Sequence, residues 1–409
     1  MAADQSYVIV GASLAGAKAA EGMRDAGYDG RVVLVGDERE RPYERPPLSK
    51  GYLLGKDARE KAFVHEEGWY ADHDVELRLS TTVTGLHRTE HEIELAGGER
   101  VAYDKLLLAT GSSPRKLPVP GADLAGVHYL RRLGDSDALR EVFSRGGSLV
   151  VVGAGWIGLE AAAAARHYEV AVTVIEPQPT PLHAALGREV GDIFAALHRD
   201  HGVDVRTGSG VKSVEGSDGR VTGVTTNSGE VVAADAVVVG VGVKPNVRLA
   251  EAAGLEVEVG IVVDDMLATS DDAIWAAGDV ANAWHPLFDQ RVRVEHWANA
   301  SGQGKAAGAA MAGKGEPYAK LPYFFTDQYD LGMEYHGHVG AQGYDDVVLR
   351  GEVASGEWLA FWLRDGRVLA GMNVNIWDAS DAIKALAKAR VVVARDRLAD
   401  VDVPLTDLT

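Results

Sequence analysis

The chain of 409 residues is 46% hydrophobic and 25% charged, and it outruns a single core, which stops growing near about 250–300 residues, so two or three domains are expected. Its formal net charge of −19 argues against nucleic acid, whose phosphates need concentrated Lys and Arg, although an acidic protein can still be drawn to a local basic patch. It has no cysteine, so it cannot exchange a dithiol for a disulphide or hold zinc or an iron–sulfur cluster by its own thiolates, and redox chemistry must belong to a bound cofactor.

In chain order, the opening residues "MAADQSY" carry neither the basic region nor the apolar stretch of a signal peptide. No later run approaches the roughly 18 apolar residues of a membrane span, so no membrane partner and a cytoplasmic location are expected. An apolar strand, "YVIVGA" (7–12), leads into a helical "AGAKAAEGMRDAG" that ends with Gly27 as a helix C-cap, and a second strand, "RVVLVGDE", follows at 31–38. Strand, glycine turn, helix and strand make half of a doubly wound sheet. The same order recurs from "GSLVVVGAGWIGLEAAAAARHY" to "VAVTVIEP" (147–177), which implies a second nucleotide.

Between the two units, "YDKLLLATGSSPRKLPVPG" (103–121) reads as a strand and a crossing between domains, and "DAVVVGVGVKPN" (235–246) is its near-twin. "AIWAAGDVAN" (273–282) reads as a strand that stops at Gly278 and delivers the carboxylate of Asp279. From about residue 318 aromatic-rich alternating segments and a helical "DASDAIKALAKAR" suggest antiparallel strands with a short helix. The fold class is therefore α/β, with two Rossmann-like dinucleotide-binding domains and a C-terminal α+β domain. The expected boundaries are 1–112 with 248–317, 113–247, and 318–409. The 13 histidines show no ligand spacing and no metal site is expected; His65, His73, His336 and His338 read as surface residues.

A glycine turn before a helix lets pyrophosphate approach the unpaired N–H groups and positive dipole of the helix N-terminus. In the first unit Gly11 makes the turn and Gly16 allows close packing. Ser13 stands where the middle glycine is usual, but serine is small and its hydroxyl can donate to phosphate. Asp37 and Glu38 end the next strand, where a carboxylate accepts from ribose hydroxyls. In the second unit Gly153, Gly155 and Gly158 are intact and Glu176 takes the strand end. Glu176 would repel a 2′-phosphate, and the following "PQPTPL" has no cation to offset it, so NADH is expected over NADPH.

These segments resemble the FAD-containing, NADH-dependent ferredoxin reductases of oxygenase systems, the group of putidaredoxin reductase, rubredoxin reductase and biphenyl dioxygenase reductase. The resemblance runs through "VIVGASLAG", "RPYERPPLSKGYL" (41–53), "LLLATGSSPR" (107–115), "VVGAGWIGLE", "IWAAGDVA" (274–281) and "EHWANASGQG" (295–304), nearly the whole chain. It implies FAD on the first unit and NADH on the second. Asp279 would reach the ribityl or pyrophosphate region, and Lys50 would lie beside the flavin ring, paired with Glu160. Glu160 independently calls for a cation, since it sits at the start of an otherwise apolar helix.

By the same resemblance Arg45 and Pro46 stiffen a segment along the flavin, and Glu295, His296 and Trp297 lie near the ring. It also assigns cofactor contacts to Ala15, Val83, the turn of Ala109, Thr110 and Gly111, Arg131, Trp156, Ile157, Gly242 and Gly278. Two departures fall in the C-terminal part: "YFFTDQ" (323–328) stands where W-F-W-S-D-Q is frequent, and "NVNIWDASDAI" (373–383) differs from N-R-x-K-D.

The implied reaction passes hydride from NADH to FAD, with Lys50 and Glu160 as catalytic residues, and then single electrons to an iron–sulfur ferredoxin that feeds a cytochrome P450 or Rieske oxygenase. Disulphide reductases and NADH peroxidases need thiols and are excluded. Two rivals keep the fold: an NADH oxidoreductase with a quinone, ascorbate radical or oxygen as acceptor, and a redox-sensing flavoprotein like apoptosis-inducing factor.

Overall fold

The run SYVIV forms the strand Ser6–Val10, whose residues from Tyr7 onward are buried, as a central parallel strand requires. It pairs in parallel with Arg31–Val35 on one side and Lys105–Leu108 on the other. Val75–Arg78 and Ile274–Ala276 complete a five-stranded sheet in which every pairing is parallel. The computed structural model describes residues 5–408 and places this sheet in a compact unit made, among the described residues, of 5–44, 59–113 and 244–323.

Helix Leu14–Asp25 leaves the first strand through the glycine turn and ends at Ala26, with Gly27 following in the left-handed conformation at φ +83°. It packs against helix Trp297–Met311 backbone to backbone. A Cβ on Gly304 would lie 2.3 Å from the Ala15 carbonyl oxygen, and one on Gly308 would lie 2.1 Å from that of Ala19. This contact fixes the N-terminal turn of the first helix, where Ala15 sits.

The second unit comprises, among the described residues, 45–58, 114–243 and 324–408. Its parallel sheet repeats the plan: Ser148–Val152 lies between Ala171–Glu176 and Ala236–Val239, flanked by Asp204–Thr207 and Val127–His128. Helix Trp156–His167 follows the central strand; its alanines are small enough to bury one whole face and most of the other. The C-terminal part is a five-stranded sheet in the order Tyr323–Gln328, Leu331–Gly337, Arg367–Val374, Trp358–Arg364 and Asp346–Arg350, with antiparallel registers among its last four strands. Helix Ser380–Ala389 buries Ile383, Leu386 and Ala387 in the core built on this sheet.

Two histidines expected at the surface are not there. His336 is 2% exposed, because helix Ser380–Ala389 packs on its strand and sets Lys384 and Asp381 near the ring. His65 is largely covered by stacking on Trp69 at 3.9 Å. Among the described residues no helix is long and apolar enough to cross a membrane, and no group of three His, Asp or Glu is placed to hold a metal ion.

Candidate active site

In both glycine turns the outer glycines are demanded by packing. Gly11 (φ +122°) and Gly153 (φ +97°) sit where a Cβ would strike the carbonyl oxygen of Ala109 at 2.1 Å and of Gly240 at 2.5 Å. A Cβ on Gly16 or on Gly158 would lie 2.1 Å from the oxygen of Gly11 or Gly153. The middle position differs. At Gly155 the nearest atom to an added Cβ is 4.0 Å away, so the protein itself does not require glycine there. Gly155 is the N-cap of helix Trp156–His167, and a helix N-terminus has the chemistry to accept a pyrophosphate. Ser13 holds the matching place as the extended N-cap of helix Leu14–Asp25.

The carboxylates at the strand ends are engaged differently. Glu38 accepts from the buried Tyr43 hydroxyl, and Asp37 is exposed. Glu176 is buried and ties down its own turn: one oxygen accepts from Ala154 N–H at 2.7 Å and the other from Gln178 N–H at 2.9 Å. Trp156 packs against Phe324 at 4.6 Å, whereas its neighbour Ile157 is exposed beside the open turn. Gly242 (φ +91°) lies past the strand Ala236–Val239, and a Cβ there would meet only the Arg115 side chain.

In the first unit Asp279 follows Gly278, whose N–H donates to the buried Gln303 at 2.9 Å and whose added Cβ would be 3.1 Å from that of Ala15. Asp279 is therefore beside the N-terminus of the glycine-turn helix. Ser112 donates to it at 2.6 Å. His296 caps helix Trp297–Met311; burial pushes its imidazole down to about 4, opposed by Asp279, which leaves it neutral near pH 7. Trp297 donates to Glu44, whose carboxyl burial raises, and Glu295 pairs with Arg293. Val83 packs on this unit's core from the small sheet of Val83–His87, Glu92–Leu95 and Arg100–Ala102.

Sequence reasoning missed Asn246. Its side-chain amide donates to the Thr110 carbonyl at 2.8 Å, its backbone carbonyl accepts from the Thr110 hydroxyl at 2.8 Å, and its N–H donates to Gly111 at 2.9 Å. It holds the Ala109–Thr110–Gly111 turn in place, and the only sequence signal for it is the near-twin ending of the two units.

In the second unit the segment around "RPPLSK" is pinned from several sides. Arg45 donates to the Arg131 carbonyl, Ser136 to the Leu48 carbonyl at 2.9 Å, Tyr52 to Asp137, and Tyr168 to the Leu53 carbonyl at 2.9 Å. Pro46 opens the short 3-10 turn Pro46–Ser49, and Lys50 follows. Lys50 Nζ lies 2.6 Å from Glu160 Oε1, Ser49 donates to the other oxygen, and Thr326 donates to Oε1 at 2.5 Å. Glu160 is 3% exposed and meets the rule that a buried charge must be paired and hydrogen-bonded. An open cavity of 530 Å³ reaches this pair.

Residues 5–304 match the family model described as pyridine nucleotide-disulphide oxidoreductase, and residues 323–409 match the one described as reductase C-terminal. The chain belongs to the pyridine nucleotide-disulphide oxidoreductase family. It is 41% identical to rhodocoxin reductase of Rhodococcus erythropolis, over 98% of this chain and 93% of that one. It is 37% identical to putidaredoxin reductase CamA of Pseudomonas putida, over 100% of this chain and 97% of that one. A crystal structure of a covalent putidaredoxin reductase–putidaredoxin complex matches with a TM-score of 0.95 at 37% identity, covering 99% of this chain and 98% of that one. Within the family this chain is one whose own sequence offers no thiol.

Proposed function

We infer that the protein is an FAD-dependent NADH:ferredoxin reductase that supplies electrons to a cytochrome P450 or Rieske oxygenase through an iron–sulfur ferredoxin, acting in the cytoplasm. The observation that carries the reading is the duplicated glycine turn in a chain without thiols, with a middle position left open at Gly155. The names of the relatives, which include rhodocoxin reductase, anthranilate and biphenyl dioxygenase ferredoxin–NAD(+) reductase components and putidaredoxin reductase, support the acceptor class. In this reading 1–112 with 248–317 form the FAD domain, 113–247 the NADH domain and 318–409 the C-terminal domain.

Bound FAD would supply the exchange between a two-electron donor and a one-electron acceptor. The residues fit such a group: Gly11 and Ser13 open a helix N-terminus to a pyrophosphate, and Asp279 beside Ala15 offers a carboxylate to ribityl or ribose hydroxyls. Gly155 does the same for NADH, and Glu176 places negative charge where a 2′-phosphate would come. Lys50 presents a cation held by Glu160, which stabilises negative charge gained on reduction.

The test is anaerobic stopped-flow of the yellow protein, reduced with NADH and then mixed with [2Fe–2S] and [3Fe–4S] ferredoxins. Rapid reoxidation by one of them is expected. A reduced protein that no ferredoxin discharges would overturn the acceptor assignment.

A further inference from the structure

Behind Glu160 lie polar side chains that the reading above does not use. Thr326 and Gln328, two apart on strand Tyr323–Gln328, share a face, and His198 comes from helix His183–Asp200. Their exposures are 0%, 1% and 0%. Thr326 Oγ1 lies 2.5 Å from Glu160 Oε1 and 3.2 Å from Gln328 Nε2. Gln328 Oε1 lies 2.8 Å from His198 Nε2, and the Tyr329 hydroxyl lies 3.1 Å from His198 Nδ1.

The direction of every hydrogen follows from what each group can do. A carboxylate only accepts, so the single hydroxyl hydrogen of Thr326 goes to Glu160. The Thr326 oxygen then accepts from Gln328 Nε2, which turns Gln328 Oε1, an acceptor, toward His198. His198 must carry its hydrogen on Nε2, leaving Nδ1 to accept from Tyr329. Burial holds this imidazole down to about 4, so near neutral pH it has one ring hydrogen to place. All the donors run toward Glu160, where Lys50 and Ser49 also donate.

A buried polar network that is only partly satisfied is worse than an apolar core, whereas a connected one rigidifies its members. We propose that Thr326, Gln328 and His198 are positioning residues that hold the Glu160 carboxylate, and through it the Lys50 ammonium, in one arrangement for reduction by NADH. The proposal rests on the reductase reading and adds three residues to it. The far end of the relay, Tyr329, stacks on His201 at 3.7 Å. Both line the cavity that reaches Lys50, where Asp327, Lys56, Arg166 and His167 are the other charged or titratable groups.

The test uses the FAD-loaded full chain and the variants Thr326→Val, Thr326→Ser and His198→Phe. Three quantities are read: the single-turnover rate of flavin bleaching by NADH, the NADH Kd, and the histidine ring tautomer by 15N NMR. Thr326→Val, isosteric but without the hydroxyl, should slow bleaching about tenfold with Kd and FAD content unchanged. Thr326→Ser should return to within about twofold of the parent, and His198→Phe should fall between the two.

Bleaching by Thr326→Val at the parent rate would overturn the proposal, as would a slowing that serine does not rescue. The tautomer decides the relay in the parent protein whether or not a variant folds: hydrogen on Nε2 supports it, and hydrogen on Nδ1 overturns it. If NADH does not bleach the parent protein at all, the reductase reading fails, and the NMR result still judges the relay.

Discussion

Glu176 ties down its own turn, and in the proposed reading the same carboxylate selects NADH over NADPH. Its two oxygens accept from Ala154 N–H and Gln178 N–H, so it stiffens the second glycine turn while carrying a negative charge into it. Glu176→Ala should therefore lose on both counts. We expect a lower Tm, from the buried Ala154 N–H and the part-buried Gln178 N–H losing their acceptor, and a loss of about tenfold in the ratio of kcat/KM for NADH over NADPH. Unchanged selectivity in a folded variant would remove Glu176 from cofactor discrimination. The sequence located this residue from its distance to the glycine turn, but its hydrogen bonds were not legible, because they depend on how the chain after Gly153 folds back over the strand end. His198 and Gln328 were still less legible: they are 130 residues apart, and no local pattern marks a contact of that range.

At the scale of elements, the strand–turn–helix units were readable because each obeys a local rule: an apolar run buried on both faces, a glycine turn, then an Ala-rich helix. What the rule could not say is which glycines serve the fold and which serve a ligand. The space around each separates them. An added Cβ at Gly158 collides with the Gly153 carbonyl oxygen, while at Gly155 its nearest neighbour is the Gly240 carbonyl oxygen, 4.0 Å away. Gly158→Ala should thus destabilise by about 1–3 kcal/mol or more. Gly155→Asp provides a favoured helix N-cap and should keep or raise the Tm, yet it sets a negative charge where pyrophosphate is expected, so the NADH KM should rise at least about tenfold. Thermal melts and steady-state kinetics on the two variants give opposite patterns if the turn holds a dinucleotide. Matching patterns would make both glycines purely structural.

At the scale of the whole molecule, two properties follow from what is buried and what is missing. His198, His296 and His336 are all pushed down to about 4 by burial, against about 6.5 in an unfolded chain. Between those values the unfolded state binds protons that the folded state refuses. Stability is thus intact above about pH 6.5 and declines as the pH falls toward 4, with each histidine costing about 2 kcal/mol at pH 5. Urea unfolding at pH 7 and pH 5 should show this loss, and His336→Gln should shrink it by the share of one histidine; an identical loss in that variant would count against the assignment.

The missing cysteine sets the electron count. A flavoprotein that also carries a redox dithiol stores four electrons, two on each centre, whereas this chain has no thiol to hold the second pair. Anaerobic titration of the FAD-loaded protein with dithionite should therefore end at two electrons per chain, and prior treatment with a thiol-alkylating reagent should change neither the endpoint nor the rate of reduction by NADH. An endpoint of four electrons would require a second redox centre that the sequence does not supply. The two-electron result would leave electron transfer to ferredoxin with a single internal donor, emptied in two successive one-electron steps. Ferredoxin reduced per NADH oxidised would then approach two, and a ratio near one would mean that half the electrons leave by another route, such as oxygen.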